Sequence, residues 1–199
     1  MIIDNKKWLF EDKKQSSYAT VKVLKDATYI VCRETTGKKD WKTNFQFWKK
    51  PYKRMNKIFF VHSGFMKDYS AIKESILKWM DEKYNKENKL IIVGYSQGGA
   101  IAQLIYEELI FKGYKVEECV TFASPKVFTF INRKELNRRM PNIRRIENGQ
   151  DIVTRLPWNF LGYFHLGKTI RTGKKRLWFL PFGLFGKHHQ KESYLESLK

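Results

Sequence analysis

The stretch Leu90-Ile91-Ile92-Val93-Gly94-Tyr95-Ser96-Gln97-Gly98-Gly99 decides the fold. Four continuous apolar residues fit a central strand buried on both faces, as in a parallel sheet. Beyond Ser96, Ile101, Leu104, Ile105 and Leu109 repeat at helical spacing, and Gly113 is placed to stop that helix. A strand that passes directly into a helix needs a tight turn. Glycines on either side of Ser96 let that turn close without Cβ collisions, and the strained serine is pushed above the sheet with its Oγ exposed. A glycine-rich turn serving only packing or phosphate binding is the plainer reading, and the strand before and helix after count against it.

Outward from this point the pattern is α/β. Runs at Tyr18–Leu24, Thr28–Arg33, Ile58–His62, Val116–Ala123 and Asn142–Glu147 are rich in β-branched and aromatic residues and read as strands. Tyr69, Ile72, Ile76, Met80 and Tyr84 step by three or four along one face of a helix between two of them. Alternating strands and helices predict a mostly parallel central sheet flanked by helices, with antiparallel hairpins at the ends. At 199 residues, with no repeat or linker, residues 1–199 fit one domain.

The composition sets the partners. Lys and Arg number 39 against 20 Asp and Glu, a net charge of +19, which attracts polyanions: nucleic acid, anionic lipid headgroups or an acidic protein. Cys32 and Cys119 lie in apolar runs and read as buried, reduced thiols. Neither a cleavable leader nor an apolar run of membrane-spanning length is evident, so the sequence predicts a cytoplasmic protein that makes peripheral contact with anionic membrane, with a virion or an unconventional export route left open.

A serine hydroxyl is a weak nucleophile and needs a histidine base oriented by a carboxylate. In hydrolases with such an elbow these follow in the order Ser, Asp or Glu, His. His62 precedes Ser96 and falls outside that order. His165 sits in the strand-like Tyr163-Phe164-His165-Leu166-Gly167, only 14 residues beyond the best acid, Asp151. His188 and His189, before a C-terminal helix, are better placed to reach Ser96. Asp151 itself falls on a loop after the Ile143–Ile146 strand.

Several motifs together make the chain similar to the class 3 lipases of the α/β-hydrolase fold. Gly94-Tyr95-Ser96-Gln97-Gly98-Gly99-Ala100 resembles the family's G-H-S-L-G-G-A, with Tyr95 in place of the His. Thr121-Phe122-Ala123-Ser124-Pro125-Lys126-Val127 resembles T-F-G-x-P-R-V. Asn148 through Pro157 resembles N-x-x-D-x-V-x-x-L-P. The resemblance implies Ser96 as nucleophile and Asp151 as acid. His189 stands five residues before Tyr194, matching the family's H-x-x-x-x-Y, and His188 misses that spacing by one. The base is therefore expected at His189.

Val61-His62-Ser63-Gly64-Phe65 resembles V-H-x-G-F. Arg33-Glu34-Thr35 with Asp40-Trp41-Lys42-Thr43-Asn44 is similar to the stretch whose Ser or Thr helps bind the oxyanion, with Glu34 in place of a Gly. Thr35 and the backbone N–H of Gln97 are the implied oxyanion donors.

The implied activity is hydrolysis of acyl esters, with lipids favoured over small soluble esters and phospholipids favoured by the basic charge. No metal spacing or nucleotide loop is present, so no cofactor or metal is expected. The apolar island Trp178–Phe185, flanked by Lys174, Lys175, Arg176 and Lys187, reads as a lipid-dipping segment with headgroup contacts, or else as a buried segment under a charged rim. The rival function is a catalytically weak or inactive basic binding module for membrane or nucleic acid, with nucleic acid not favoured and the oligomeric state open.

Overall fold

The computed structural model describes residues 6–12, 17–33, 48–54, 57–131, 133–149, 151–173 and 188–198. The chain opens with strands β1 (Lys6–Asp12), β2 (Ser17–Val23) and β3 (Ala27–Arg33). A hairpin of β4 (Lys49–Arg54) and β5 (Lys57–His62) then leads into helix α1 (Ser63–Lys83). Strand β6 (Lys89–Tyr95), helix α2 (Gln97–Phe111) and strand β7 (Glu118–Phe122) form the centre. After them come β8 (Phe128–Thr129), α3 (Arg133–Arg139), β9 (Ile143–Asn148), β10 (Tyr163–Phe164), β11 (Lys168–Thr172) and α4 (Lys191–Ser197).

The main sheet has the order β1-β2-β3-β6-β7-β9-β11. Its first two pairings are antiparallel, and from β3 onward all are parallel. This is the mixed α/β architecture that the alternation predicts. In register, Val21, Ile30, Ile92, Cys119 and Ile143 form one row across five strands, each fully buried. Alternation along a strand puts this row on one face, and the apolar stripes of α1 and α2 pack against it. Ile91 and Val93, on the opposite face of β6, are only half-buried. The continuous apolar run thus marks one closed face and one partly covered face, where burial on both was expected.

The α1 stripe is buried as its spacing predicts, except Tyr84, which lies one residue past the helix and caps it through a bond from its N–H to Met80 O. Helix α2 is buried from Gln97 through Leu109. That burial includes two glutamates which periodicity cannot flag. Arg54 donates to both Glu107 and Glu108, Lys73 lies 3.1 Å from Glu108, and Tyr69 Oη donates to Glu108 at 3.3 Å. A buried carboxylate is tolerable only when paired and hydrogen-bonded, and this cluster ties α2 to α1 and β4. The helix stops at Gly113, with φ at 87°, as expected. Gly113 N–H donates to Ile110 O and Tyr114 N–H to Leu109 O, closing the orphaned carbonyls of the last turn.

Two strands differ from expectation. The Ile58–His62 run pairs in a separate antiparallel sheet of order β10-β8-β5-β4 and not in the central one. Strand β7 stops at Phe122, because Ala123 takes a left-handed φ of 55° that no extended strand continues through. Among the described residues, no helix is long and apolar enough to cross a membrane.

Candidate active site

The turn between β6 and α2 is held by sterics. Ser96 adopts φ 54°, ψ −124°, an unusual conformation for a residue with a side chain, and its N–H donates to Phe122 O at 2.8 Å on the neighbouring strand. A Cβ at Gly94 would overlap the Gly98 carbonyl, and one at Gly98 would overlap the Cys32 carbonyl of β3. The glycine pattern is therefore a packing requirement between a helix start and two strands. Gly98→Ala is expected to cost about 1–3 kcal/mol of folding stability through overpacking against backbone, read as a lower urea midpoint.

Ser96, His189 and Asp151 come together from three places in the chain. Ser96 Oγ lies 2.8 Å from His189 Nε2, and His189 Nδ1 lies 2.8 Å from Asp151 Oδ2. Asp151 is fully buried beyond β9, while Ser96 and His189 are nearly so. An ionised carboxylate only accepts, so Nδ1 carries the proton and Nε2 is left to accept from the serine hydroxyl. His188 is half-buried, and it is His189 that meets the serine.

The carboxylate is built in on all sides. Its Oδ1 accepts from Val153 N–H at 2.8 Å, and its Oδ2 accepts from Tyr194 Oη at 2.7 Å as well as from the imidazole. Tyr194 Oη also accepts from Asn148 N–H at 3.1 Å. Burial, together with the adjacent Asp151, pushes the Tyr194 phenol well above its ordinary value, which keeps it a donor. Tyr95 Oη donates to the His189 carbonyl, so the tyrosine that replaces the family's histidine anchors the loop carrying His189. Sequence reasoning used Tyr194 only as a spacing mark and Tyr95 only as a departure. Spacing could not show their contacts, because α4 meets the β9 end only in the folded chain.

Tyr194→Phe removes a bond to a charged group and takes away the hydroxyl that accepts from Asn148 N–H. The expected loss is about 1.5–3 kcal/mol of stability, measured by chemical denaturation.

Gln97 is the first residue of α2, where backbone N–H groups have no intrahelical acceptor. Its side chain donates from Nε2 to Asp68 Oδ2 of α1 at 2.6 Å, fixing the turn from the far side. That buried aspartate went unnoticed in the sequence, since it sits inside an otherwise apolar stripe. Thr35, Glu34 and the 36–41 stretch lie outside the described residues, as do the 178–185 island and Lys174, Lys175, Arg176 and Lys187.

The two earlier histidines have other surroundings. His62 caps α1 and stacks on Phe65 at 4.2 Å between ring centres, and burial lowers it to about 4. His165 follows the two-residue β10, outside the strand expected to hold it, and its Nε2 lies 2.6 Å from the Thr154 carbonyl. Burial, with Arg145 nearby, lowers it to about 3. Both are neutral in the fold but protonate when unfolded. Their stabilising contribution is complete above about 6.5 and is lost as pH falls toward about 4 and about 3, so roughly 2 kcal/mol each should be gone by pH 5. Urea midpoints at pH 7 and pH 5 should show the drop, and His62→Gln should reduce it.

Comparison with known proteins identifies the family. The family model described as lipase (class 3) matches residues 29–161. The chain belongs to the class 3 lipases. The matched segment contains Ser96 and Asp151, while His189 lies beyond it.

One curated relative, the secreted mono- and diacylglycerol lipase A of Penicillium cyclopium, is 30% identical over 105 residues, covering 52% of this chain and 34% of that protein. The chloroplastic phospholipase A(1) DAD1 of Arabidopsis thaliana is 27% identical over 107 residues, covering 49% of this chain and 24% of that one. The chain thus spans about a third or less of the length of these relatives. A solved lipase structure from Rhizopus microsporus var. chinensis superposes with a TM-score of 0.75 at 20% identity, covering 85% of this chain and 63% of that one. The fold is that of the α/β-hydrolases.

The cytoplasmic expectation is overturned, because the fungal relatives are named as secreted proteins. Cys32 and Cys119 are buried free thiols whose pKa values burial raises, so they stay unreactive in an oxidising compartment as readily as in a reducing one.

Proposed function

We propose that residues 1–199 work as one domain, a serine ester hydrolase of acyl glycerolipids. The observation that carries this reading is the 2.8 Å approach of His189 Nε2 to Ser96 Oγ, with Nδ1 set against a buried carboxylate. As Ser96 Oγ adds to the ester carbonyl carbon, its proton passes to Nε2 and the carbonyl electrons move onto oxygen. Asp151 stabilises the imidazolium and holds the ring in line. The Gln97 backbone N–H, with Thr35, receives the oxyanion.

When the intermediate collapses, the alcohol leaves with the proton from Nε2 and an acyl-Ser96 ester remains. Water then adds to the acyl carbon and gives its proton to Nε2. The free acid departs as Ser96 Oγ recovers that proton.

The glycerolipid class is supported by the names of the relatives, one acting on mono- and diacylglycerols and the other a phospholipase A(1). A purely binding role has to account for a serine held at φ 54° beside a buried histidine and carboxylate, an arrangement that strains the chain and does nothing for membrane or nucleic-acid contact. The test is a p-nitrophenyl ester series from short to long acyl chains, run on the parent and on Ser96→Ala. Turnover that requires Ser96 and rises with chain length supports the proposal. Absence of Ser96-dependent turnover at every length, from folded protein, sinks it.

A further inference from the structure

The second sheet ends in a concentration of exposed aromatic side chains. The 3-10 turn Asn159–Leu161 buries none of its residues. Phe160 is 81% exposed and stacks on Trp158 at 5.8 Å between ring centres and 11° between planes. The antiparallel pairing of Tyr163 with Thr129 brings this turn alongside Phe130 and Ile131, and Phe130 N–H donates to Gly162 O at 3.0 Å. Trp48, 75% exposed, joins them through its carbonyl, which accepts from Tyr163 Oη at 3.2 Å. Trp48, Phe130 and Phe160 keep more than half of their surface in solvent, and an apolar patch gathered from three separate chain segments marks a contact surface.

Among the described residues, the charged groups set against these rings are cations. Lys49 Nζ lies 5.9 Å from the Tyr163 ring centre and the Arg133 guanidinium lies 5.2 Å from that of Phe164. Both residues are exposed. The nearby acids in sequence are spoken for: Glu135 pairs with Lys57, Glu147 with Arg145, and Asp151 is buried against His189. The face therefore presents apolar bulk with a cationic rim. Ile131 and Leu161 offer nothing to a stacked base, and Trp158 and Phe160 already occupy each other's faces. A lipid surface accepts aliphatic and aromatic groups alike and places anionic headgroups against the rim.

We infer that Trp48, Phe130, Trp158 and Phe160, with Lys49 and Arg133, form a docking surface for anionic phospholipid bilayers. The inference rests on the proposed ester hydrolysis in one respect: a bilayer is where such an enzyme meets acyl glycerolipids.

Binding is measured by co-sedimentation with phosphatidylcholine vesicles, with and without phosphatidylserine, in a Ser96→Ala background so that no lipid is consumed. Trp158→Ala with Phe160→Ala should weaken binding about tenfold or more on vesicles containing phosphatidylserine. Lys49→Ala with Arg133→Ala should weaken it roughly thirtyfold there and little on pure phosphatidylcholine. In the Ser96 parent background, both pairs should leave turnover of a soluble short-chain ester unchanged.

If the aromatic pair is unstable, Phe160→Ser alone should give a loss of about threefold or more. Unchanged vesicle binding in the aromatic variant overturns the inference. So does a loss of single-stranded DNA binding in both variants with vesicle binding intact. Vesicle binding that follows the predicted pattern in a protein without ester turnover upholds the surface and removes the hydrolase reading, so the two failures are distinguishable.

Discussion

Ser96→Ala is expected to lower ester turnover by about 10⁴-fold or more while leaving the folded chain intact. The substitution removes one oxygen from a side chain that is only 2% exposed and does not alter the glycines that set the turn. Without Oγ, no covalent acyl intermediate forms, and His189 can at best activate water at a distance from the carbonyl. The remaining catalysis comes from oxyanion binding and substrate positioning, which in serine hydrolases generally leaves a small rate above the uncatalysed one. Stability should change by less than about 1 kcal/mol, and relief of strain at φ 54° is not expected because alanine carries the same Cβ. The check is kcat on a soluble ester together with a urea denaturation midpoint.

Asp151→Asn is the second large effect, with an expected loss near 10⁴-fold in kcat. The asparagine is nearly isosteric, but its amide must place an NH₂ group among donors. Val153 N–H, Tyr194 O–H and His189 Nδ1–H all point at the carboxylate. One of them has to lose its acceptor or turn away. If the imidazole yields, its proton moves to Nε2 and the ring can no longer accept from Ser96. If Tyr194 yields, the helix that follows His189 loosens. The buried position also means that no water can substitute freely, so a stability loss of about 1–3 kcal/mol should accompany the rate loss. A kcat reduction with little change in KM would show that the damage lies in the chemical step and not in substrate binding.

The elbow was legible in the sequence because its determinants are local. Gly94 and Gly98 are fixed by backbone contacts within a few residues of Ser96 or on the next strand, and a strand followed at once by a helical stripe can be read from hydropathy alone. The stop at Gly113 was legible for the same reason.

The second sheet was harder. Strands β8 and β10 are two residues long, and β4, Lys49-Lys50-Pro51-Tyr52-Lys53-Arg54, carries a proline and four cations that read as loop. Edge strands tolerate that composition because one side of the ladder is unpaired. His189 could be separated from His188 only through a family spacing, since one residue of register on a loop has no hydropathy signature. Glu107 and Glu108 look like a solvated pair on a helix, and only the arrival of Arg54 from 53 positions away makes them a buried anchor.

Ser96 is proposed as a nucleophile activated by His189 and oriented through Asp151. Reaction with diethyl p-nitrophenyl phosphate tests it most directly, since Oγ attack on phosphorus expels p-nitrophenolate and leaves a diethylphosphoryl group on the serine. Intact-mass and peptide analysis should find one adduct, on Ser96, formed rapidly in the parent, absent in Ser96→Ala and slowed by orders of magnitude in Asp151→Asn. A folded parent that gains no adduct, or one that is modified elsewhere and equally in Ser96→Ala, would contradict it.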